Sequence, residues 1–110
     1  MSDYTIKMAE IKLTESEIEA AVRVLRSGAL RQGKKCEAFE KEFAEKVGAK
    51  YAITCSSGSA ALHLAYMSFL KPGDEVLVPA FTFIATASMI VMAGGKPIFC
   101  DIDPETFLID

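Results

Sequence analysis

The sequence predicts an α/β fold, a partial parallel sheet with crossover helices preceded by two amphipathic helices. Three observations predict it. Residues 14–48 carry two apolar stripes at helical spacing. From residue 49 onward, short β-prone runs alternate with helix-length segments, and each change is marked by glycine or proline. With 51% hydrophobic and 25% charged residues in 110, the composition is that of a globular chain rather than a disordered one. Strands alternating with helices of these lengths call for right-handed crossovers and a parallel sheet.

Each element has a local cause. Thr14 followed by Glu17 forms a capping-box pattern, because hydroxyl and carboxylate can satisfy backbone donors left free at a helix start. Ile18, Ala21, Val22 and Leu25 then repeat at i, i+3, i+4 and i+7, and Gly28 stops the helix. After a polar loop over 29–35, Cys36, Phe39, Phe43 and Val47 share a second stripe that ends at Gly48. Tyr51 to Cys55 reads as a strand, Ser56 to Ser59 as a tight turn, and Ala60 to Phe69 as a helix ended by Pro72 and Gly73. Glu75 to Pro79 reads as a strand buried on both faces. Thr82 is the expected cap of a helix through Ala93, closed by Gly94 and Gly95, and Pro97 to Asp101 supplies a third strand. The organisation is a helical entry segment over 1–48 and a strand-helix-strand-helix-strand core over 49–110, an incomplete domain with no linker or repeat inside it.

Charge and cysteine usage exclude several functions. A net charge of −3 provides no field that gathers nucleic acid, and Lys34 with Lys35 is too short a basic run. Cys36, Cys55 and Cys100 form neither a CxxC pair nor a metal-ligand spacing, and their odd number argues against a secreted disulfide framework. Met1 to Leu13 lacks the apolar run of a signal peptide, and Phe81 to Ala93 falls short of the roughly 20 residues that cross a bilayer. The expectation is a cytoplasmic protein without nucleic-acid or membrane partners and without a metal site.

The segment most informative about chemistry is Cys55 to Leu62. It sets small residues and hydroxyls between a strand's carboxyl end and a helix's amino end, where free N–H groups and the helix dipole attract anions. Gly58 lets a phosphate approach the main chain and Ser59 adds a hydroxyl donor. The same residues serve equally well as a helix cap with no ligand. The turn matches neither the GxxxxGK[ST] pattern nor GxGxxG. Phe83, after the next strand, can stack on a flat heteroaromatic ring or fill a core.

The succession Ser27-Gly28, Gly33, Phe39-Glu40, Phe43-Ala44, Gly48, Gly58-Ser59-Ala60-Ala61-Leu62-His63-Leu64 and Pro72-Gly73-Asp74-Glu75-Val76 resembles the DegT-type aminotransferases. The likeness continues through Pro79, Phe81-Thr82-Phe83, Ala85-Thr86, Gly95, Pro97, Asp101, Asp103, Thr106 and Ile109-Asp110. It implies the amino-terminal portion of the large domain of a fold-type I enzyme dependent on pyridoxal 5′-phosphate. That family mostly acts on nucleotide-linked keto sugars for polysaccharide or aminosugar biosynthesis. The resemblance assigns Gly58, Ser59 and Ala60 to the cofactor's phosphate and Phe83 to its pyridine ring. It implies a homo-oligomer, a nucleotide-sugar substrate and glutamate as amino donor. The loop 29–35 resembles a segment near the sugar nucleotide, but Arg31 and Gln32 stand where aromatic residues or threonine are frequent, which leaves the sugar open.

The lysine that holds the cofactor covalently, and the carboxylate facing the pyridine nitrogen, belong to family sequence after the 101–110 region. No catalytic residue is therefore assigned, and the chain alone is expected to be inactive. The alternatives are a noncatalytic remnant that binds phosphate-bearing ligands and an assembly subunit of a split enzyme. His63 reads as a structural histidine, Asp101 and Asp103 as turn residues before Pro104, and Cys55 as a small core residue.

Overall fold

The computed structural model describes residues 9–110, so most of the Met1–Leu13 alternation lies outside the described residues. The chain divides into two compact units, Met1–Lys50 and Tyr51–Asp110.

The first unit holds helices α1 (Glu15–Ser27) and α2 (Lys34–Val47). Helix α1 begins at the expected capping box: the Glu17 carboxylate accepts from the Thr14 N–H at 2.6 Å and from its hydroxyl at 2.7 Å. It ends where Gly28 turns left-handed at φ 69°, a conformation that costs glycine little. Helix α2 closes in the same way at Gly48, and Phe39 and Phe43 pair along its apolar face with ring centroids 5.8 Å apart. Among the described residues, only Ala44 is buried in this unit.

The second unit contains α3 (Gly58–Phe69), β1 (Glu75–Pro79), α4 (Ala85–Met92) and β2 (Lys96–Cys100). The two strands pair in parallel, Val78 opposite Phe99, as the crossover rule requires. Val78, Ala87 and Ile90 form the core, with Tyr66, Leu70 and Val76 packed around it. The Tyr66 hydroxyl donates to the Thr86 carbonyl at 3.4 Å and joins α3 to α4.

The α/β class and the two leading helices match the sequence reading, but three details differ. Tyr51 to Cys55 has no ladder, because β-prone residues become a strand only beside a partner, and the described sheet has just two strands. Strand β1 is covered on one face only. Val78 is buried while Leu77 is 65% exposed, since successive side chains point to opposite sides. Helix α4 starts at Ala85 rather than after Thr82, whose hydroxyl bonds the Thr86 hydroxyl at 3.0 Å instead of capping backbone.

A tight corner locks the strand starts together. The Gly73 N–H donates to the Gly94 carbonyl at 2.8 Å, and the Lys96 N–H to the Asp74 carbonyl at 2.7 Å. Gly95 is required by space: a Cβ there would lie 2.9 Å from Ile90 Cγ2 and 3.2 Å from the Asp74 carbonyl oxygen. No helix among the described residues is long and apolar enough to cross a membrane.

Candidate functional site

The site is built on the first turn of α3. Ser57 is the N-cap, and its hydroxyl accepts from the Ala60 N–H at 3.2 Å while its carbonyl accepts from Ala61 at 3.0 Å. The Gly58 and Ser59 N–H groups precede the first intrahelical bond and have no partner among the described residues. They are two parallel donors at the positive end of a 12-residue helix. The Ser59 hydroxyl is also without a partner among the described residues. An added Cβ on Gly58 would meet nothing within 4 Å, so the approach to its backbone is open. This geometry suits an anion with several acceptor oxygens.

Of the residues predicted from sequence, the structure brings Gly58, Ser59 and Ala60 together on one helical turn. It divides their parts: Ala60 spends its N–H on the cap, leaving Gly58 and Ser59 as the available donors. The sequence reading included Ser57 in the turn and allowed a helix cap there, but did not single out Ser57 as the capping residue. Phe83 stands elsewhere, in the stretch between β1 and α4. The residue is 74% exposed and has no aromatic neighbour among the described residues, which leaves it accessible for stacking. Phe81 instead packs on Phe107, with centroids 5.5 Å apart.

Asp101 and Asp103 bond neighbouring backbone N–H groups. Asp103 caps a turn, its carboxylate accepting from the Glu105 and Thr106 N–H groups at 2.9 and 2.7 Å. The Thr106 backbone bond, then that of Glu105, holds its carboxyl below the usual aspartate range. Asp101 accepts from the Ile102 N–H at 2.9 Å. No group of histidine, cysteine and carboxylate side chains among the described residues could hold a metal ion. Cys55 and His63 are half-buried.

Comparison with known proteins identifies the setting. The sequence profile of the DegT/DnrJ/EryC1/StrS aminotransferase family matches residues 11–110. A UDP-2-acetamido-2-deoxy-3-oxo-D-glucuronate aminotransferase from Pseudomonas aeruginosa is 41% identical over 98% of this chain and 30% of its own length. The spore coat polysaccharide biosynthesis protein SpsC from Bacillus subtilis is 45% identical over 87% of this chain and 25% of its own. Among solved structures, a GDP-4-keto-6-deoxymannose-3-dehydratase with a trapped PLP-glutamate geminal diamine superposes with a TM-score of 0.87 at 33% identity. It matches 94% of this chain and 29% of the dehydratase. The chain thus spans less than a third of the length of these relatives, in their amino-terminal portion. The chain belongs to the DegT/DnrJ/EryC1/StrS aminotransferase family.

Proposed function

We propose that this chain is the cofactor-phosphate-binding portion of a pyridoxal-phosphate-dependent aminotransferase acting on nucleotide-linked keto sugars. The observation that carries the reading is the pair of free N–H groups of Gly58 and Ser59 at the head of α3, in a chain of this family. Ser57 holds the helix start rigid, and Gly58 N–H, Ser59 N–H and the Ser59 hydroxyl converge on the phosphate. Ala60 contributes through its cap, and Phe83 offers its exposed face to the pyridine ring. When bound, the cofactor supplies the electron sink and carries the amino group, while these residues anchor and orient it. We assign these 110 residues binding rather than turnover. The working enzyme is read as a cytoplasmic homo-oligomer that takes its amino group from glutamate; the PLP-glutamate species named for the dehydratase supports the last of these alone.

The test is a titration of the isotopically labelled chain with pyridoxamine 5′-phosphate, whose amine forms no imines with surface lysines. Saturable amide shifts at Gly58 and Ser59, weakened about tenfold by Ser59→Ala, are expected for one charge-assisted hydrogen bond lost. An equal response to pyridoxamine without its phosphate, or none at these two amides, would overturn the assignment.

A further inference from the structure

The stretch after β2 folds back as a tight hairpin. Ile102 and Ile109 form an antiparallel bridge, the Asp103 N–H donates to the Leu108 carbonyl, and the Phe107 N–H donates to the Asp103 carbonyl, the last two bonds both at 2.9 Å. The Asp103 carboxylate, bonded to the Glu105 and Thr106 N–H groups, fixes the tip. Within this turn Phe107 stands at φ 59°, the one residue other than glycine with a positive φ among the described residues. That region crowds a Cβ against the neighbouring carbonyl, so glycine or asparagine is what such a turn favours. A phenylalanine held there against its backbone preference points to a use for its side chain. Its ring packs on Phe81, with centroids 5.5 Å apart and planes tilted by 38°, although Phe107 is 56% and Phe81 68% exposed.

Phe81 lies in the short stretch that carries Phe83. Two backbone bonds bound that stretch: the Ala80 N–H donates to the Cys100 carbonyl at 2.9 Å, and the Thr86 N–H to the Phe83 carbonyl at 3.0 Å. Thr82 ties it to α4 through the hydroxyl bond to Thr86. The N–H groups of Phe81, Thr82 and Phe83 have no partner among the described residues, so the contact of Phe81 with Phe107 is what ties the middle of the stretch to the hairpin. We propose that Phe107 is a positioning residue for the cofactor ring: through Phe81 it holds residues 80–84 in the conformation that presents Phe83. This rests on the assignment of Phe83 to the pyridine ring, and it adds a residue that acts through another ring. The left-handed backbone at Phe107 and the Asp103 bonds then serve one end, which is to aim the Phe107 side chain at Phe81.

The variant Phe107→Gly tests this in the labelled 110-residue chain, because it removes the ring while giving the turn the residue that its φ favours. Without ligand, the backbone order parameters of residues 81–83 should fall in the variant, and those of Glu105 and Thr106 should stay. With pyridoxamine 5′-phosphate, the Gly58 and Ser59 amides should still saturate. The Phe83 ring carbons should lose roughly half of their ligand-induced shift and the affinity should fall about threefold, within the range that one aromatic pair supplies. Inorganic phosphate, which has no ring to stack, should bind both chains equally. Phe107→Tyr should restore each value, and Phe81→Ala should reproduce the loss, with no further loss in the double variant. Equal weakening of both ligands, or unchanged order parameters at 81–83, overturns the proposal. Absence of saturation at Gly58 and Ser59 in the unaltered chain marks a failure of the cofactor reading, which the order parameters, measured without ligand, keep separate from a failure of Phe107 to hold the stretch.

Discussion

Helices α1 and α2 sort apolar and polar residues onto opposite faces, yet α1 buries no residue and α2 buries only Ala44. Helix α4 is apolar nearly all round and shorter, yet it buries Ala85, Ala87 and Ile90. The contrast teaches that an amphipathic stripe states which face seeks cover, while burial itself needs a surface to lie on. In the second unit that surface is a two-stranded sheet with α3 beside it. In the first, Leu25 remains 63% exposed on the stripe that the sequence marks as buried.

The largest expected effect tests this contrast directly. Ile90→Ala should destabilise the second unit by about 2–5 kcal/mol, because the site is fully enclosed and leaves a cavity. Leu25→Ala should change stability within about 0.5 kcal/mol. Urea unfolding of the two variants makes the comparison, and equal losses would show that α1 is covered as well as α4. Next in size, Ser57→Ala should cost about 1 kcal/mol and expose the Ala60 amide to hydrogen exchange, with Ser57→Asp retaining the cap.

The smallest effect concerns acidification of α1. Glu17 is held below the usual glutamate range first by the Thr14 N–H and then by the Thr14 hydroxyl. A depressed folded-state pKa contributes stability that is complete above the ordinary glutamate value and is lost as pH falls through the depressed one. Carbon shifts of residues 15–18 should therefore move toward coil values in that acidic window, and Glu17→Gln should flatten the profile.

What could be read from the sequence was local. Thr14, Glu17, Gly28 and Gly48 set the ends of α1 and α2 through bonds that span three or four residues, and these ends fall where the spacing places them. The start of α4 was misplaced because a threonine near a helix can bond a side chain as readily as backbone, and Thr82 does so with Thr86. The strand pattern of 51–55 is present in composition, but a ladder depends on a distant partner that no local pattern names. The anion-binding turn was legible as a cluster of serines and glycine. Which serine caps and which stays free was not, because Ser56, Ser57 and Ser59 differ only by their place along the turn. A cleft in the first unit was not legible, because Lys34 with Lys35 reads only as a short basic run and it is the fold that sets Arg23 and Arg31 beside them.

The corner joining Gly73, Asp74, Gly94 and Lys96 has a consequence for how this chain can change in length. Both strand starts are fixed by the same two bonds, so one residue inserted after Gly95 would turn every following side chain of β2 to the opposite face. The loop after α1 carries no such double tether among the described residues: the Ala29 N–H donates to the Ser27 hydroxyl and the Leu30 N–H to the Gly28 carbonyl, both within the loop's own start. A change of length in the loop after α1 therefore leaves the register of β1 and β2 untouched, whereas the same change at the corner shifts it.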